Sequence, residues 1–335
     1  LDPETRTLAQ EFEARGYRTA GFVANAYYTS QETGLARGFT HFEDYARSPL
    51  QFFRSATLYQ EVEGVSVGHF SRKRPYDRKR AAAVSTEFLD WLAASPADRA
   101  FFAFLNYFDA HTPRPRVPAR SPFAGDRPPV DNYDYQLARL DAALDTLLTA
   151  LEARGELQRT LVVITSDHGE LFEEHGLSTH GNSLYYHLLH VPLLILGPGV
   201  PEGVRVPAPV TLRDLSATVA TLGDLPPSVN FPGRSLSRFF GAPADLGEAP
   251  SPILAEITRP LNSPEDEPVA HGSMRSLVDD SLHYIRRGDG AEELYRYATD
   301  PVERMNLAGD SAYAKALAAF RAELDALPLG YLEEK

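Results

Sequence analysis

Cysteine is absent from this chain of 335 residues. Its absence excludes disulfides, thiolate metal ligands and cysteine nucleophiles. Lysine occurs only four times, with none between Lys79 and Lys315. Long apolar runs are missing too: none approaches the ~20 residues of a membrane-crossing helix, so no membrane span is expected. The charge balance is short of cations, 33 basic against 46 acidic residues, for a net charge of −13. That argues against the clustered positive field by which proteins hold nucleic-acid phosphates, so no nucleic-acid partner is expected. The one dense basic stretch, "RKRPYDRKR" over residues 72–80, is read as solvated surface. No signal peptide opens the residues given, which begin at Leu1 rather than Met, and a targeting segment could lie upstream or have been cut away. The compartment stays open between periplasmic or extracellular and cytoplasmic, and oligomeric state is not legible.

What is present suits a soluble globular protein: 43% hydrophobic and 24% charged residues, with length for one large α/β domain and a smaller companion. A first helix is expected in "TLAQEFEARG", capped by Asp2, with Pro3 in its first turn and Gly16 at its end. The strand "YRTAGFVAN" follows. After it come the helix "AAAVSTEFLDWLAAS", the strand "AFFAFLNYF" and a Pro-rich loop over residues 112–129. In the next helix Leu137, Leu140, Leu144, Leu147, Leu148 and Leu151 recur at three- and four-residue steps, a core-facing stripe. "TLVVITS" and "VPLLILGPG" read as further buried strands, and "TLRDLSATVATLG" as a helix that Asp214 caps or packs. Apolar strands alternating with helices imply parallel strands covered on both faces, to about Leu236. Residues 272–301 instead alternate like an antiparallel meander with Gly-Asp-Gly at a turn, before a terminal helix.

Between the two strands, "ITSDHGELFEEHGLSTHGNSLYYHLLHVPLLI" holds five of the ten histidines. In open parallel sheets, ligands bind beyond the carboxyl ends of strands. Two strands end in acid and histidine there: "LNYFDAH" delivers Asp109 and His111, and "VVITSDHG" delivers Asp167 and His168. A carboxylate beside an imidazole, followed by a glycine that lets backbone approach, suits a divalent cation. His175 reads as loop packing or a metal ligand, and His187 and His190 as structural. Glu170 and Glu173 read as loop solvation, with a supporting role to histidines as the alternative. His271 and His283, in the meander, read as structural rather than substrate contacts.

Taken in order, "TLAQEFEARGYRTAGFVAN", "GLARGFTHFEDY", "FFAFLNYFDAHTP", "YDYQLARLDAAL", "TLVVITSDHGE", "EHG", "HGNSLY", "HVPLLILGPG", "PVTLRDLSATVATLG" and "EELYRYATDPVERMNLA" resemble blocks of the sulfatase family, in the alkaline phosphatase superfamily. The resemblance covers nearly the whole chain. It implies an α/β fold with a mostly parallel sheet sandwiched by helices (alkaline phosphatase-like) over residues 1–240. A small C-terminal antiparallel-sheet subdomain over residues 250–335 would pack on it. It further implies a metal-dependent hydrolase of sulfate esters, with a small-molecule or glycan ester as substrate. Asp167 and His168 correspond to late metal ligands, calcium by family. His111 corresponds to a contact to the transferred group or its leaving oxygen.

Two departures from the family pattern follow. His180 stands where many sulfatases carry a lysine on the transferred group. In relatives that cleave phosphate esters a histidine near this position can bind a second metal. Asp109 and His111 with His180, or His175, could then serve a two-metal phosphodiesterase or phosphonate monoester hydrolase using Mn or Zn. The family's first metal-binding aspartates and its nucleophile, Cys or Ser in C/S-x-P-x-R, are expected ahead of the helix that opens this chain. "RVPAR" and "NFPGR" match the spacing without a hydroxyl or thiol. Hence little activity is expected from these residues alone, and a marginally stable chain with unpaired strand edges. A non-catalytic metal- or partner-binding chain is the alternative from another class.

Overall fold

The computed structural model describes residues 4–25, 28–44, 78–94, 96, 98–226, 231–241, 252–261 and 263–328. Two compact units emerge: Leu1–Arg159 with Leu225–Val229, and Thr160–Asp224 with Asn230–Lys335. They are taken in turn.

In the first unit, helix α1 (Leu8–Ala14) begins later than its sequence suggests. Thr7 caps it, accepting from the Gln10 N–H, while the Gln10 side chain returns the bond to the Thr7 N–H. This reciprocal pair satisfies two amides that a helix start leaves without partners. The expected cap, Asp2, lies outside the described residues. Strand β1 (Arg18–Val23) is buried along its whole length and pairs in parallel with β2 (His41–Glu43) on one side and β3 (Phe101–Asn106) on the other. Helices α2 (Ala81–Ala94) and α3 (Pro128–Ala153) close over it, packing Val84, Phe88, Leu92, Leu147 and Leu151 onto Ala20, Phe22 and Ala24. Each large side chain buried there contributes about 1.5–3 kcal/mol. The leucine stripe of α3 divides: Leu147 and Leu151 are core, whereas Leu137 is 39% exposed. The apolar residues buried from this 26-residue helix both lie in its C-terminal half, and in its N-terminal half it is Gln136 that is buried.

At the described end of the basic stretch Arg80 is exposed, as expected of solvated surface, while Arg78 and Lys79 are not. Lys79 is buried, its ammonium 2.6 Å from Glu87 and donating to the Glu43 carbonyl at 3.0 Å. Arg78 folds onto the turn after β3. The rest of the stretch lies outside the described residues.

In the second unit, β4 (Val162–Thr165) and β7 (Leu193–Leu196) pair antiparallel, correcting the parallel reading of these two apolar runs. The cause is their connection. Residues 166–192 leave and return at one end, without the crossover that parallel neighbours need. That excursion contains the short hairpin β5 (Leu171–Phe172) and β6 (Ser178–Thr179), then the one-turn helix α4 (Tyr186–Leu189). Helix α5 (Arg213–Leu222) follows, with buried Asp214 accepting from the Arg234 N–H and pairing with Arg238 at 2.8 Å.

The meander forms as the alternation implies: β9 (Met274–Val278), β10 (His283–Arg286) and β11 (Glu292–Tyr295) run antiparallel. A fourth strand, β8 (Ile253–Ile257), joins β9 at the edge and was not expected. Period-two alternation gives this sheet two apolar faces. Leu277, Tyr284 and Leu294 face Leu317, Phe320 and Leu324 of the last helix, α6 (Ala314–Ala326). Met274, Ile285 and Tyr295 face Leu171, Leu177, Leu184 and Leu188 from the histidine-rich excursion. That second face makes the excursion and the C-terminal sheet one body.

Among the described residues β3 pairs only with β1, and β4 only with β7. Phe104 on β3 and Leu194 on β7 are 36% and 53% exposed. No helix among these residues is long and apolar enough to cross a membrane.

Candidate active site

The turn after β3, in the first unit, carries Asp109 and His111. Asp109 is fixed by helix geometry: its carboxylate accepts the Ala81 N–H, at the start of α2, at 2.8 Å. A carboxylate belongs there, because the first amides of a helix lack partners and carry partial positive charge. Burial pushes the Asp109 carboxyl above its ordinary range, against that bond and the nearby Arg80 and Arg139.

His111 stacks on Phe108 with ring centroids 4.2 Å apart, and the Arg78 guanidinium lies 4.5 Å from the centroid of the same ring. Arg78 donates to the carbonyls of His111, Thr112 and Pro113, wrapping the turn. The His111 Nδ1 is 2.6 Å from the Thr112 carbonyl oxygen. The Arg78 guanidinium, which only donates, also lies 3.2 Å from the same Nδ1, so this nitrogen is held between a donor and an acceptor.

In the second unit the loop after β4 gathers four of the polar side chains. Asp167 is 87% exposed and His168 40% exposed, with Oδ2 and Nε2 3.7 Å apart. His168 Nδ1 meets the Gly169 carbonyl at 2.8 Å, so its neutral form turns an Nε2 lone pair outward, toward the Asp167 oxygen. Two acceptors facing the same space suit a shared cation. His180 lies beside His168, centroids 4.2 Å apart and planes tilted by 31°, and its Nδ1 donates to Glu170 Oε1 at 2.8 Å. Glu170 is only 6% exposed. It therefore holds a histidine ring rather than solvating the loop, and of Glu170 and Glu173 it is the one that does so.

Gly169 is required by packing. A Cβ there would stand 1.9 Å from the His187 carbonyl oxygen, and the Gly169 N–H donates to the Leu188 carbonyl at 2.8 Å. The close approach expected of this glycine is thus to α4. The loop that follows concentrates left-handed backbone at non-glycine residues: Glu173 (φ 82°), His175 (φ 56°) and Thr179 (φ 70°). Such conformations cost of order 1–3 kcal/mol each and cluster where surroundings over-determine the chain.

His175 lies flat on Tyr185, centroids 3.6 Å apart and planes 1° from parallel, with its edge toward Tyr295. His187 and His190 line a cavity of about 460 Å³ with Tyr186 and Tyr297. His283 is fully buried. Asp109 and His111 belong to one unit, and Asp167, His168, His175 and His180 to the other. Among the described residues no three His, Asp or Glu side chains gather into a group able to hold a metal. Asp167 and His168 have donor types that suit a divalent cation, and two donors are fewer than such an ion takes.

Comparison with known proteins gives the following. A model of the Sulfatase family matches residues 1–225. The chain is 33% identical over 180 residues to arylsulfatase K of Xenopus laevis, a match covering 53% of this chain and 33% of that protein. It spans about a third of the length of the curated relatives it matches. Among solved structures, the phosphonate monoester hydrolase of Agrobacterium radiobacter superposes with a TM-score of 0.69 at 19% identity, over 97% of this chain and 80% of that one. A 2-O GAG sulfatase superposes with a TM-score of 0.66 at 21% identity, over 97% and 74%. At these identities the likeness is one of fold: alkaline phosphatase-like, with a parallel sheet, helices and a small antiparallel sheet.

Proposed function

Because this chain belongs to the sulfatase family, we propose that it is the part of a sulfate-ester hydrolase that supplies late metal ligands and contacts to the transferred group. The observation that carries this reading is the exposed Asp167 carboxylate beside the outward Nε2 of His168, at the carboxyl end of β4. Asp167 and His168 would hold a divalent ion, calcium by family. When bound, that ion supplies positive charge to the developing oxyanion and lowers the pKa of a nearby hydroxyl.

The chain's own residues do the rest. Glu170 holds the His180 ring at Nδ1, and such a ring accepts a proton when neutral and donates to an anionic oxygen as an imidazolium. His111, whose Nδ1 lies against the Thr112 carbonyl and the Arg78 guanidinium, would contact the leaving-group oxygen, as the family resemblance implies. In this role histidine differs from lysine, which has no lone pair to offer while charged.

That difference supports a second reading, a phosphonate or phosphate-ester hydrolase with two metals, with His180 as a donor to one of them. Calorimetric titration of sulfate and phenylphosphonate into the chain, with calcium, manganese or zinc, tests both. Under the first reading sulfate binds only with metal present and loses affinity in His180→Ala. A preference for phenylphosphonate with manganese or zinc selects the second. Metal-independent binding that survives Asp167→Ala and His180→Ala defeats both and leaves the non-catalytic alternative.

A further inference from the structure

Residues beyond the family match at 225 still reach the Asp167–His168 loop, through one buried carboxylate. Glu303, in "TDPVERMNLA", is 1% exposed. It sits in left-handed backbone (φ 58°), a conformation that a non-glycine residue keeps only under constraint. Both carboxylate oxygens are used. Oε1 meets His283 Nδ1 on β10 at 2.6 Å, and Oε2 accepts the N–H of Tyr186, the first residue of α4, at 2.8 Å. From α4 the chain of contacts continues. The Leu188 carbonyl accepts from the Gly169 N–H, and the His187 carbonyl fills the space where a Gly169 side chain would stand. Gly169 directly follows Asp167 and His168.

We infer that Glu303 is a positioning residue for the Asp167–His168 loop, acting through α4. Apolar contacts of Leu184, Tyr185 and Leu188 also hold this helix to the C-terminal sheet, yet such packing is non-directional. A doubly engaged carboxylate is directional and fixes the rotation of a four-residue helix too short to hold itself. Its partner is matched to it. With Nδ1–H on the carboxylate, His283 leaves an acceptor nitrogen in the interior, whereas an amide at 303 could turn the ring to its other tautomer and strand an N–H there. The catalytic meaning of the loop rests on the proposed function; the mechanical link does not.

The test is native-state hydrogen exchange on the full chain, comparing Glu303→Gln with Leu324→Ala. The latter opens a cavity on the sheet's opposite face, away from Glu303. In Glu303→Gln, protection of the Gly169 amide should fall about tenfold or more while the amides of the β8–β9–β10 ladder keep theirs. In Leu324→Ala, Gly169 and the ladder should fall together. Unchanged protection at Gly169 in Glu303→Gln, or a loss shared equally with the ladder, overturns the inference. Should the amide variant fail to fold, Glu303→Asp, which keeps the charge and shortens the reach, gives the same differential readout. Because exchange is read without metal or substrate, its failure is distinct from failure of the functional proposal.

Discussion

Glu170, almost sealed from solvent, accepts the Nδ1 proton of His180 at 2.8 Å and thereby fixes which nitrogen that histidine shows. In Glu170→Ala the constraint goes, and neutral His180 should shift toward the Nε2–H tautomer that free imidazole rings favour. Nitrogen-15 NMR of the imidazole distinguishes the two forms. Losing a charged hydrogen bond at a ring with part of its face in water should cost about 1.5 kcal/mol of stability, at the low end for such bonds. An unchanged tautomer in the variant would mean that something other than Glu170 holds the ring.

Gly169→Ala should be among the most damaging small substitutions in the chain. Its methyl would stand 1.9 Å from a backbone oxygen, so α4 or the loop must move. Overpacking of this kind costs typically about 1–3 kcal/mol, and more when backbone is the obstacle. Urea unfolding measures it, and a loss below about 0.5 kcal/mol would show that α4 is loosely seated.

How much of this was legible in the sequence depends on the range of each interaction. Strands β1, β3 and β4 and the meander declared themselves because burial and alternation write a period into neighbouring residues. The alkaline phosphatase-like class followed from ordered blocks. Direction of pairing was not legible: "VVIT" and "LLIL" look alike whether neighbours run parallel or antiparallel, and only the path of residues 166–192 decides. Asp167 and His168 were found because the strand and its polar end are contiguous. Arg78 and Glu303 were missed because their targets lie about 33 and 117 residues away, at His111 and Tyr186. A charged residue that crosses such a gap looks, in sequence, like any solvated one. Glu170 left the one usable hint, an acid two residues beyond the candidate ligand His168.

Metal binding by the chain should be weak and should depend on Asp167. Two donors are fewer than the three or four that strong protein sites supply. Titration with Ca²⁺, Mn²⁺ and Zn²⁺ should therefore give a detectable isotherm that disappears in Asp167→Ala, with affinity falling about 10- to 100-fold in Glu170→Ala if the loop acts as one support. Equal isotherms for the parent chain and Asp167→Ala would remove this residue from the metal site.

The C-terminal sheet should lose stability in acid through Glu292. A hydrogen-bonded Arg321 guanidinium is the main reason that its carboxyl is held down to about 2, from an ordinary 4.5. A depressed carboxyl contributes stability that is complete above the unfolded value and fades as pH falls toward the folded one. Thermal unfolding of the parent and of Arg321→Ala should differ by a constant amount above about pH 5, and the two should converge toward about pH 2. The pair is partly in water, which keeps the difference small. A gap that widens in acid would assign the effect to another group.

Turnover by these 335 residues should be negligible, and the reason is chemical. The family resemblance implies a covalent intermediate on a nucleophile beside the metal. Here cysteine is absent, and neither "RVPAR" nor "NFPGR" offers a serine in the C/S-x-P-x-R setting. His111, His180 and the Asp167–His168 pair would have only an unpositioned water to activate. Removing the nucleophile of a serine protease costs on the order of a million-fold in kcat, which sets the scale of the expected deficit. The assay is hydrolysis of aryl sulfate and aryl phosphate by the purified chain, with calcium, manganese or zinc supplied in turn. Rates indistinguishable from the metal-buffer blank are the expected outcome. Rapid, metal-dependent turnover that falls in His111→Ala would show that another hydroxyl in this chain serves as nucleophile, with the histidine placed as proposed. If the same turnover persisted in His111→Ala and His180→Ala, both the nucleophile and the histidine assignments would be wrong.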